Sequence, residues 1–523
     1  MAHPIYTTIL YLASPHPCNI IVLGLLLQIL MPTRRAEPLP DNEAHPFTLE
    51  DIHPELAGMD ILDYVTQTTR AQMIHNGGQR LDDADMLAIE AFNYKVDTDI
   101  SSRAYGKLQQ AFPGRLGDLP TEPCLKKYIK TLSGLAGQEI HCCVNLCIAY
   151  TGEYKLLENC PHCLEACFRP IHNNQARRIP HRIFLYLSLM TRLCNLYQDP
   201  AMAQKLRYQA EQKAEDNVLR DIFDGAHYNC LCGEQVVVGG NTLGHRYFSK
   251  PTNIALGLSS NGFGPFKSCK QSCWPLLVFN YNLPPSICTC LENMLCLGVI
   301  PGPNSPKEID TFLEPFIDEL ELLARGVPAH NASANHPVTL HAYLLACFGN
   351  MPAVAKLMCM KGHNGKRPCQ ACRIRAVYAS AGKRTYYTPL SQHFIPGVPG
   401  IWHYDPLNLP LRTHVDYLEQ ALHIGASNNG TTEARRSRRT GINSLSPLAW
   451  IASLDFAVSF PHDFMHAMFE NVVPMLLDLW TRTGKWAKFG LSDKEYHLHP
   501  DVWAEIGKAC AANGDNIPAA FGC

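Results

Sequence analysis

The sequence predicts an α/β protein in which a helical N-terminal region and a small cysteine-rich unit precede an α/β core. Three observations predict this fold class. Apolar residues recur at helical spacing within residues 1–117, and cysteines come in close pairs within residues 118–170. Short apolar segments ended by turns precede a helix within residues 247–523. Residues 171–246 form a predicted helical connector between the cysteine-rich unit and the core.

The composition is that of a folded protein. The chain has 523 residues, of which 46% are hydrophobic and 18% charged, and this balance excludes a largely disordered protein. A chain of this length exceeds one ordinary core, so about two to four domains are expected. The formal net charge is −2, which argues against a basic surface over the whole molecule but allows a local basic stripe.

Two apolar segments lie near the start of the chain, at Ile5–Leu12 and Ile20–Met31. Each is shorter than the roughly 18–20 residues that a membrane-spanning helix needs. No Lys or Arg precedes them, so the basic start of a signal peptide is missing. We interpret them as buried or partner-facing helices, with a weak membrane anchor as the alternative, and do not expect a membrane partner. A linker rich in Pro and acidic residues, Arg34–Pro54, follows.

Two helical regions flank the cysteine-rich unit. In Glu55–Phe112 the apolar residues at helical spacing are Met86, Ile89, Ala91, Phe92 and Val96. Arg182–Phe223 is also predicted to be helical, and its apolar stripe consists of Leu185, Leu189, Leu193 and Leu196.

Three short strands open the predicted core, at Ile254–Leu258, Trp274–Phe279 and Met294–Ile300, and each is followed by turn residues. A helix should follow, with Ser305 as N-cap, Glu308 completing a capping box and Gly326 ending it. Val338–Phe348 is a further apolar element, a strand or a buried helix, and Pro352 opens another helix. Three sequential strands before the first helix are compatible with a ribonuclease-H-like fold.

A polar segment at Gly425–Gly441 carries four arginines, Arg435, Arg436, Arg438 and Arg439. We interpret the segment as a flexible insertion whose arginines are solvated. The alternative is that they contact phosphate groups or act as a localisation signal.

Paired cysteines predict a zinc site. The chain has 22 cysteines, and Cys143-x3-Cys147 and Cys160-Pro-His-Cys163 form two pairs separated by twelve residues. Two tight turns that each present two thiolates supply the tetrahedral ligands of structural zinc. Cys142 could replace Cys143, Cys167 is a spare, and buried free thiols are the alternative to metal binding.

A second possible zinc site combines Cys369-Gln-Ala-Cys372 with His462 and His466, which lie four residues apart on the predicted helix Pro461–Trp480. Glu470 is four residues further along the same face. The two pairs are separated by 89 residues, so the site would need tertiary assembly. The alternative is a local cysteine turn and two histidines on a helix surface.

Long segments of the sequence resemble the transposase domain of CACTA (En/Spm-like) elements, in the form found in mushroom-forming fungi. The similarity covers residues 120–523. The strings that carry it are IALGLSSNGFGPFKS from Ile254, CWPLLVFNYNLPPS from Cys273, LGVIPGPNSPKEIDT from Leu297, FGNMPAVAKLMC from Phe348, MKGHNGKRPCQACRI from Met360 and SFPHDFMHAMFENVVPM from Ser459. The resemblance implies a ribonuclease-H-like core that binds terminal inverted repeats of DNA, and cleaves and joins strands with two Mg²⁺ ions. It also implies a nuclear protein, which could act as a homo-oligomer.

The resemblance places the three catalytic acids of the family at Asn261, Asn350 and Glu470, so two expected aspartates are asparagines. A neutral amide oxygen is a poorer Mg²⁺ ligand than a carboxylate, and two-metal chemistry needs clustered acids. We therefore expect impaired catalysis. One alternative is a domesticated, non-catalytic protein that binds DNA or protein. Another is an active enzyme that uses Asp224, Asp310 or Asp463 instead.

Overall fold

The computed structural model describes residues 83–98, 100–112, 119–133, 135, 137–170, 178–212, 215, 218–264, 272–379, 385–388, 390–392, 402–484 and 497–512. The two apolar segments near the start of the chain, the linker and residues 55–82 of the first helical region lie outside these residues. Within the described ranges, no helix combines the length and the apolar character that crossing a bilayer requires.

Three helices form the first described region: α1 (Asp83–Asp97), α2 (Ser102–Ala111) and α3 (Glu122–Ser133). Ser101 caps α2, because its hydroxyl oxygen accepts a hydrogen bond from the Ala104 amide at 3.2 Å. The helices share a small core of their own, consisting of Ala88, Ala91, Tyr105, Leu119 and Leu125. The helical prediction for Glu55–Phe112 is confirmed for α1 and α2, whereas α3 lies within the predicted cysteine-rich unit 118–170.

The cysteine-rich unit begins with β1 (Gln138–Cys142), which pairs antiparallel with β2 (Arg182–Tyr186). The helix predicted from Arg182 is therefore wrong over its first residues. Phe184 and Tyr186 are buried while Ile183 is exposed, and this two-residue period is that of a strand. The helix begins only after Ser188, whose hydroxyl caps it.

The part of the connector that the structure describes contains four helices and a hairpin. In chain order these are α4 (Leu189–Gln198), α5 (Pro200–Lys205), α6 (Tyr208–Glu211), α7 (Ala226–Gly233), β3 (Gln235–Val238) and β4 (Asn241–Arg246). A buried carboxylate, that of Glu319, accepts hydrogen bonds from the Leu189 and Met190 amides at the start of α4. The connector therefore packs directly on the core rather than forming a separate body.

The core follows from residue 254. Its elements are β5 (Ile254–Ser260), β6 (Cys273–Asn280), α8 (Pro285–Cys288), β7 (Leu295–Pro301), α9 (Asp310–Arg325), β8 (Val327–Asn331), β9 (His336–Leu340) and β10 (Ala342–Phe348). The three predicted strands are confirmed as β5, β6 and β7. The apolar element predicted at Val338–Phe348 comprises most of β9 and all of β10, which Ala342 begins.

A four-stranded sheet with the order β10-β5-β6-β7 forms the centre of the core. β5, β6 and β7 are successively antiparallel, whereas β10 runs parallel to β5. Every residue of β6 is buried, as expected for a central strand covered on both faces. β5 and β10 therefore end side by side, and residues that follow these two strands meet at one edge of the sheet.

α9 starts later than predicted. Its first residue is Asp310, and the predicted N-cap Ser305 and capping-box Glu308 both lie before it. The backbone amide of Glu308 instead donates to the Cys147 carbonyl at 3.0 Å, and its carboxylate contacts His162 at 2.7 Å. These contacts with the cysteine-rich unit replace the local capping box. The predicted end is confirmed, because Gly326 has a φ of 101°.

The remaining elements lie after β10. They are α10 (Met351–Leu357), β11 (Val377–Ala379), β12 (Thr385–Tyr387), β13 (Ser391–Gln392), β14 (Trp402–His403), α11 (His414–Gly425), α12 (Gly430–Thr440), a π-helix (Met465–Val472), α13 (Val473–Thr481) and α14 (Pro500–Ala512). Short 3₁₀ turns occur at Gly152–Tyr154, Ile222–Asp224, Leu291–Asn293, Gly362–Asn364 and Pro447–Trp450.

The interpretation of Gly425–Gly441 as a flexible insertion is wrong, because most of it is the helix α12. Asn429 caps this helix through the Thr432 amide at 2.9 Å, and Gly441 ends it in the left-handed conformation with a φ of 84°. Arginine is a good helix former, so polarity alone did not distinguish a loop from a surface helix.

The helix predicted from Pro461 begins at Met465, and its first two turns are a π-helix. Asp463 lies just before it, and its carboxylate accepts a hydrogen bond from the His466 amide at 3.0 Å. His462 therefore precedes the helix, and the expected helical face shared by His462 and His466 does not form. Pro474 is the second residue of α13, which continues directly from the π-helix.

Candidate metal centres and the edge of the central sheet

Four cysteines assemble a candidate metal centre in the cysteine-rich unit. The sulfur atoms of Cys143, Cys147, Cys160 and Cys163 all lie within 4.8 Å of one another, and those of Cys143 and Cys163 are 3.4 Å apart. Four thiolates around tetrahedral zinc, at about 2.3 Å from the ion, lie roughly 3.8 Å from one another. Three of the four residues are buried and one is half-buried. The donor set and its spacing therefore fit zinc.

The backbone turns that carry these cysteines are alike. The Asn145 amide donates to the Cys143 sulfur at 3.3 Å, and Leu146 follows with a φ of 58°. After the second pair, Leu164 has a φ of 62° and its amide donates to the Cys160 carbonyl at 2.8 Å. A positive φ is uncommon for leucine. Each cysteine pair is therefore accompanied by one leucine in the left-handed conformation, which lies between the two cysteines in the first pair and after them in the second.

The electrostatics of the cluster favour one thiolate over the others. Although burial opposes it, hydrogen bonds from the Asn145 side chain and the Glu165 backbone lower the pKa of Cys163 to about 6. Burial raises the pKa of Cys143. Zinc binds thiolates and displaces their protons, so metal binding here would release protons.

The structure also separates the neighbouring cysteines from this centre. Cys142 packs into the main hydrophobic core, and burial raises its pKa to about 12. Cys167 lies beside the four ligands in a small apolar cluster but outside the set of close sulfur atoms. The geometry thus favours Cys143 over Cys142, a choice that the spacing left open.

The cysteine-rich unit is attached to the central sheet by several hydrogen bonds. Besides the Cys147–Glu308 contact, the Ala149 amide donates to the Thr311 hydroxyl at 2.8 Å. The Arg182 guanidinium donates to the Gly302 carbonyl at 2.6 Å, just after β7. These contacts and the β1–β2 pairing join residues on both sides of the boundary that the sequence predicts at residue 170.

A second cysteine turn lies next to His462. The Cys372 amide donates to the Cys369 sulfur at 3.3 Å, the same N–H···S arrangement as at Cys143. Hydrogen bonds from the Cys372 thiol and from His462 lower the pKa of Cys369 to about 4, and the same thiolate raises the pKa of His462. Gln370 fixes the two segments together, because its side-chain amide donates to the carbonyls of Phe460 and Pro461 at 2.9 and 3.1 Å.

A buried arginine supports this second turn. Arg412 is 4% exposed, and its guanidinium donates to the backbone carbonyls of Cys369 at 3.0 Å, Thr440 at 3.0 Å and Arg367 at 3.3 Å. Burial lowers its pKa, whereas the neighbouring Cys369 raises it. Sequence reasoning missed both Arg412 and Gln370, since neither belongs to a motif with a recognisable spacing.

His466 is directed towards two acids. Its Nδ1 lies 2.6 Å from the Asp463 carboxylate and its Nε2 lies 3.6 Å from that of Glu470. Among the described residues, only the Cys143 set brings three or more potential ligand atoms within 4.8 Å of one another. The structure thus joins Cys369, Cys372 and His462 by contacts, and gives His466 contacts with Asp463 and Glu470.

Asn261 and Asn350 meet at the edge of the central sheet, directly after β5 and β10. The Asn350 amide donates to the Asn261 side-chain oxygen at 3.3 Å, and the Asn350 side-chain oxygen accepts the Ala353 amide at 3.0 Å. Asn350 thereby caps α10. The side-chain oxygens of both asparagines are therefore engaged by backbone donors.

This pair does not fit two Mg²⁺ ions. An aspartate at either position could accept the same hydrogen bond with one oxygen and offer the other to a metal. The second group of an asparagine is an NH₂ donor, which does not coordinate a cation. Glu470, the third position, is 47% exposed and contacts His466.

The four arginines of the basic segment lie on α12. Arg435, Arg438 and Arg439 are exposed, and Arg436 is half-buried. The Arg436 guanidinium donates to the His423 carbonyl at 2.6 Å and to the Ser427 hydroxyl at 3.0 Å, so it ties α12 to α11. Three of the four are thus available to a partner in solution.

Comparison with known proteins gives one family. No curated protein matches the chain. Residues 241–394, from β4 through the central sheet and past β13, match the model of a family described as Transposase family tnp2. This segment, which contains Asn261, Asn350 and the second cysteine turn, is therefore similar to a transposase domain.

Proposed function

We propose that the chain is a transposase-derived protein whose strand-cleavage and strand-transfer chemistry is impaired. The observation that carries the proposal is the contact between Asn261 and Asn350 at the adjoining ends of β5 and β10. This is where a transposase of this kind would hold its first two acids. The match of residues 241–394 to a transposase family supports the assignment.

The sheet topology supports a ribonuclease-H-like core. Three successive antiparallel strands precede α9, and the fourth strand, β10, lies parallel to the first. The resemblance to CACTA (En/Spm-like) transposases of mushroom-forming fungi extends the proposal to DNA with terminal inverted repeats as partner. On the same resemblance, we also propose that the protein is nuclear and that it acts as a homo-oligomer.

The impairment follows from charge as well as from ligand chemistry. In a working site two Mg²⁺ ions would stabilise the attacking and leaving oxygens of the phosphodiester. Replacing two carboxylates by amides leaves Glu470 as the one acid of the proposed set. The segment that leads to Glu470 is tied to β10, because the Cys347 amide donates to the Ser459 carbonyl at 2.8 Å.

We assign zinc a structural role. The Cys143 set would hold one ion and support the start of α9 through Cys147 and His162. Cys369, Cys372, His462 and His466 remain the proposed ligands of a second ion, which would join the second cysteine turn to the segment before Glu470. To bind this ion, the His466 side chain would rotate so that its Nε2 faces Cys369 and Cys372 rather than Glu470.

The test is an assay of strand cleavage and transfer on DNA carrying terminal repeats, with Mg²⁺ or Mn²⁺. We expect negligible activity from the unmodified chain, and recovery to require Asn261→Asp and Asn350→Asp together, because both metals share these ligands. Each single substitution serves as the control for the double one. Robust Mg²⁺-dependent cleavage by the unmodified chain would contradict the proposal and direct attention to Asp224, Asp310 and Asp463.

The second candidate is a non-catalytic protein that binds DNA or protein and retains the core as a scaffold. The two satisfied asparagines favour it, since they serve as ordinary structural residues. A binding assay without divalent metal separates the two functions. Binding to repeat DNA without metal, together with no strand cleavage by the unmodified chain when Mg²⁺ or Mn²⁺ is added, would favour this candidate.

A further inference from the structure

Two basic segments of the chain come together in the fold. Residues 361–375 carry five basic side chains and no acidic one, and α12 carries four arginines and one acid, Glu433. The whole chain has a net charge of −2. Positive charge is therefore concentrated in two segments that lie more than fifty residues apart in the sequence.

Backbone contacts hold these segments side by side. The Lys361 amide donates to the Gly441 carbonyl at 2.9 Å, directly after α12. Arg412 bridges the carbonyls of Arg367 and Thr440 from below the surface. The juxtaposition is thus fixed by a buried side chain and a backbone hydrogen bond, rather than by mobile surface residues.

The charged ends of these side chains are also close. Lys361 lies near Arg438. Burial is the main cause that lowers the pKa of Lys361, the charge of Arg438 lowers this pKa further, and the charge of Glu433 partly offsets the decrease. Burial also lowers the pKa of Arg367, and the charges of Arg373, Arg375 and Arg439 lower it further. On α12, Arg435 lies three and four residues before Arg438 and Arg439, so the three share one side of the helix. Like charges this close repel one another in the free protein.

Local structure explains only part of this arrangement. Arg438 and Arg439 lie in the last turn of α12, where a cation interacts favourably with the helix dipole. Arg373 pairs with Asp416 at 3.4 Å. Neither interaction accounts for Arg435 or Lys361, which are both exposed. A polyanionic partner would turn the mutual repulsion into attraction.

We infer that a basic face binds the phosphate backbone of duplex DNA without reading its sequence. The residues of this face are Lys361, Lys366, Arg367, Arg373, Arg375, Arg435, Arg438 and Arg439. The choice of DNA as the polyanion rests on the proposed function, whereas the face itself rests on charge and contacts. The second cysteine turn lies within the same segment, so this turn and Arg412 would set the spacing of the phosphate contacts.

The experiment measures binding of the full chain to a labelled duplex of unrelated sequence, without divalent metal, over a range of salt concentrations. Each lost phosphate contact reduces the slope of log K against log salt by about 0.9. We expect the triple variant Arg435→Gln, Arg438→Gln, Arg439→Gln to lower the slope by about 2.7 and Lys361→Gln by about 0.9. Glutamine is a good helix former, so α12 should persist.

A matched control removes three charges from another exposed helix. The triple variant Lys126→Gln, Lys127→Gln, Lys130→Gln in α3 should keep the slope of the unmodified chain. An equal loss in both triple variants, or no loss in the α12 variant, would overturn the basic face while leaving DNA binding intact. Tighter binding of duplex RNA through the same residues would overturn the choice of DNA. Absence of any duplex binding by the unmodified chain at low salt would refute both the face and the DNA-binding part of the proposed function.

Discussion

The two cysteine turns of this chain differ in where their partners come from. Cys143, Cys147, Cys160 and Cys163 lie within one short segment, and their sulfur atoms cluster tightly. Cys369 and Cys372 meet His462, which is distant from them in the sequence, and Gln370 and Arg412 hold the segments in place. The local set takes all four ligands from one segment and needs the core only for support, whereas the dispersed set needs tertiary contacts to bring its ligands together.

The largest expected effect comes from breaking the local set. Cys160→Ser should abolish zinc binding at this centre and lower the thermal unfolding midpoint by roughly 10 °C or more, because structural zinc contributes several kcal/mol to folding. Zinc content and a thermal melt of the full chain measure both. Cys124→Ser, at an exposed position on α3, is the control. A variant with unchanged zinc content would show that the four sulfurs are ordinary buried thiols.

The dispersed set can be tested through the stoichiometry of bound zinc. His462→Ala should reduce it from about two ions per chain to about one, while His499→Ala, at an exposed histidine, leaves it unchanged. The Cys143 centre should be unaffected in both variants. If the unmodified chain holds one ion, and Cys160→Ser removes it, the second turn is a metal-free thiolate site paired with His462.

The dependence on tertiary support can be measured at Arg412. Arg412→Met leaves three partly buried carbonyls without their donor, so the free energy of unfolding should fall by about 2–4 kcal/mol. Urea unfolding measures this change, and Arg435→Met, at an exposed position, should stay within about 0.5 kcal/mol of the unmodified chain. The affinity of the dispersed site for zinc should drop while that of the local site stays constant. Equal drops at both sites would mean that the two turns are not independent.

The smallest effect is expected at the edge of the sheet, away from both turns. Asn350→Ala removes the cap of α10 and should cost about 1 kcal/mol, whereas Asn350→Asp keeps the cap and should be nearly neutral. Chemical denaturation of the two variants gives the difference. Stability lost equally in both would contradict the capping role of the Asn350 side chain, because the contact with Asn261 uses the Asn350 backbone amide and is present in both variants.

The sequence predicted those features that depend on neighbouring residues. Strands β5, β6 and β7 were visible as apolar segments with turn residues, and Gly326 ended α9 as expected. The spacing of four cysteines predicted the local metal centre. The start of α9 was misplaced because Glu308 is bound by the cysteine-rich unit rather than by its own helix.

Other features depended on distant residues and were missed. β2 resembled a helix because Leu185 and Leu189 are four residues apart, yet its pairing with β1 makes it a strand. The sequence predicts a loop at α12, because a charged helix that packs on α11 has little apolar periodicity. Arg412 and Gln370 act through backbone carbonyls, and no sequence spacing predicts such contacts.

The attachment of the cysteine-rich unit has a consequence for its transfer to another protein. β1 depends on β2 beyond the last cysteine, and the first turn depends on Glu308 and Thr311 in the core. Transplanted into another chain, the unit would lose its strand partner and the residues that support its ligands. We therefore expect a transplanted unit to hold zinc less tightly than it does here, unless its strand partner and the supporting core residues are transferred with it.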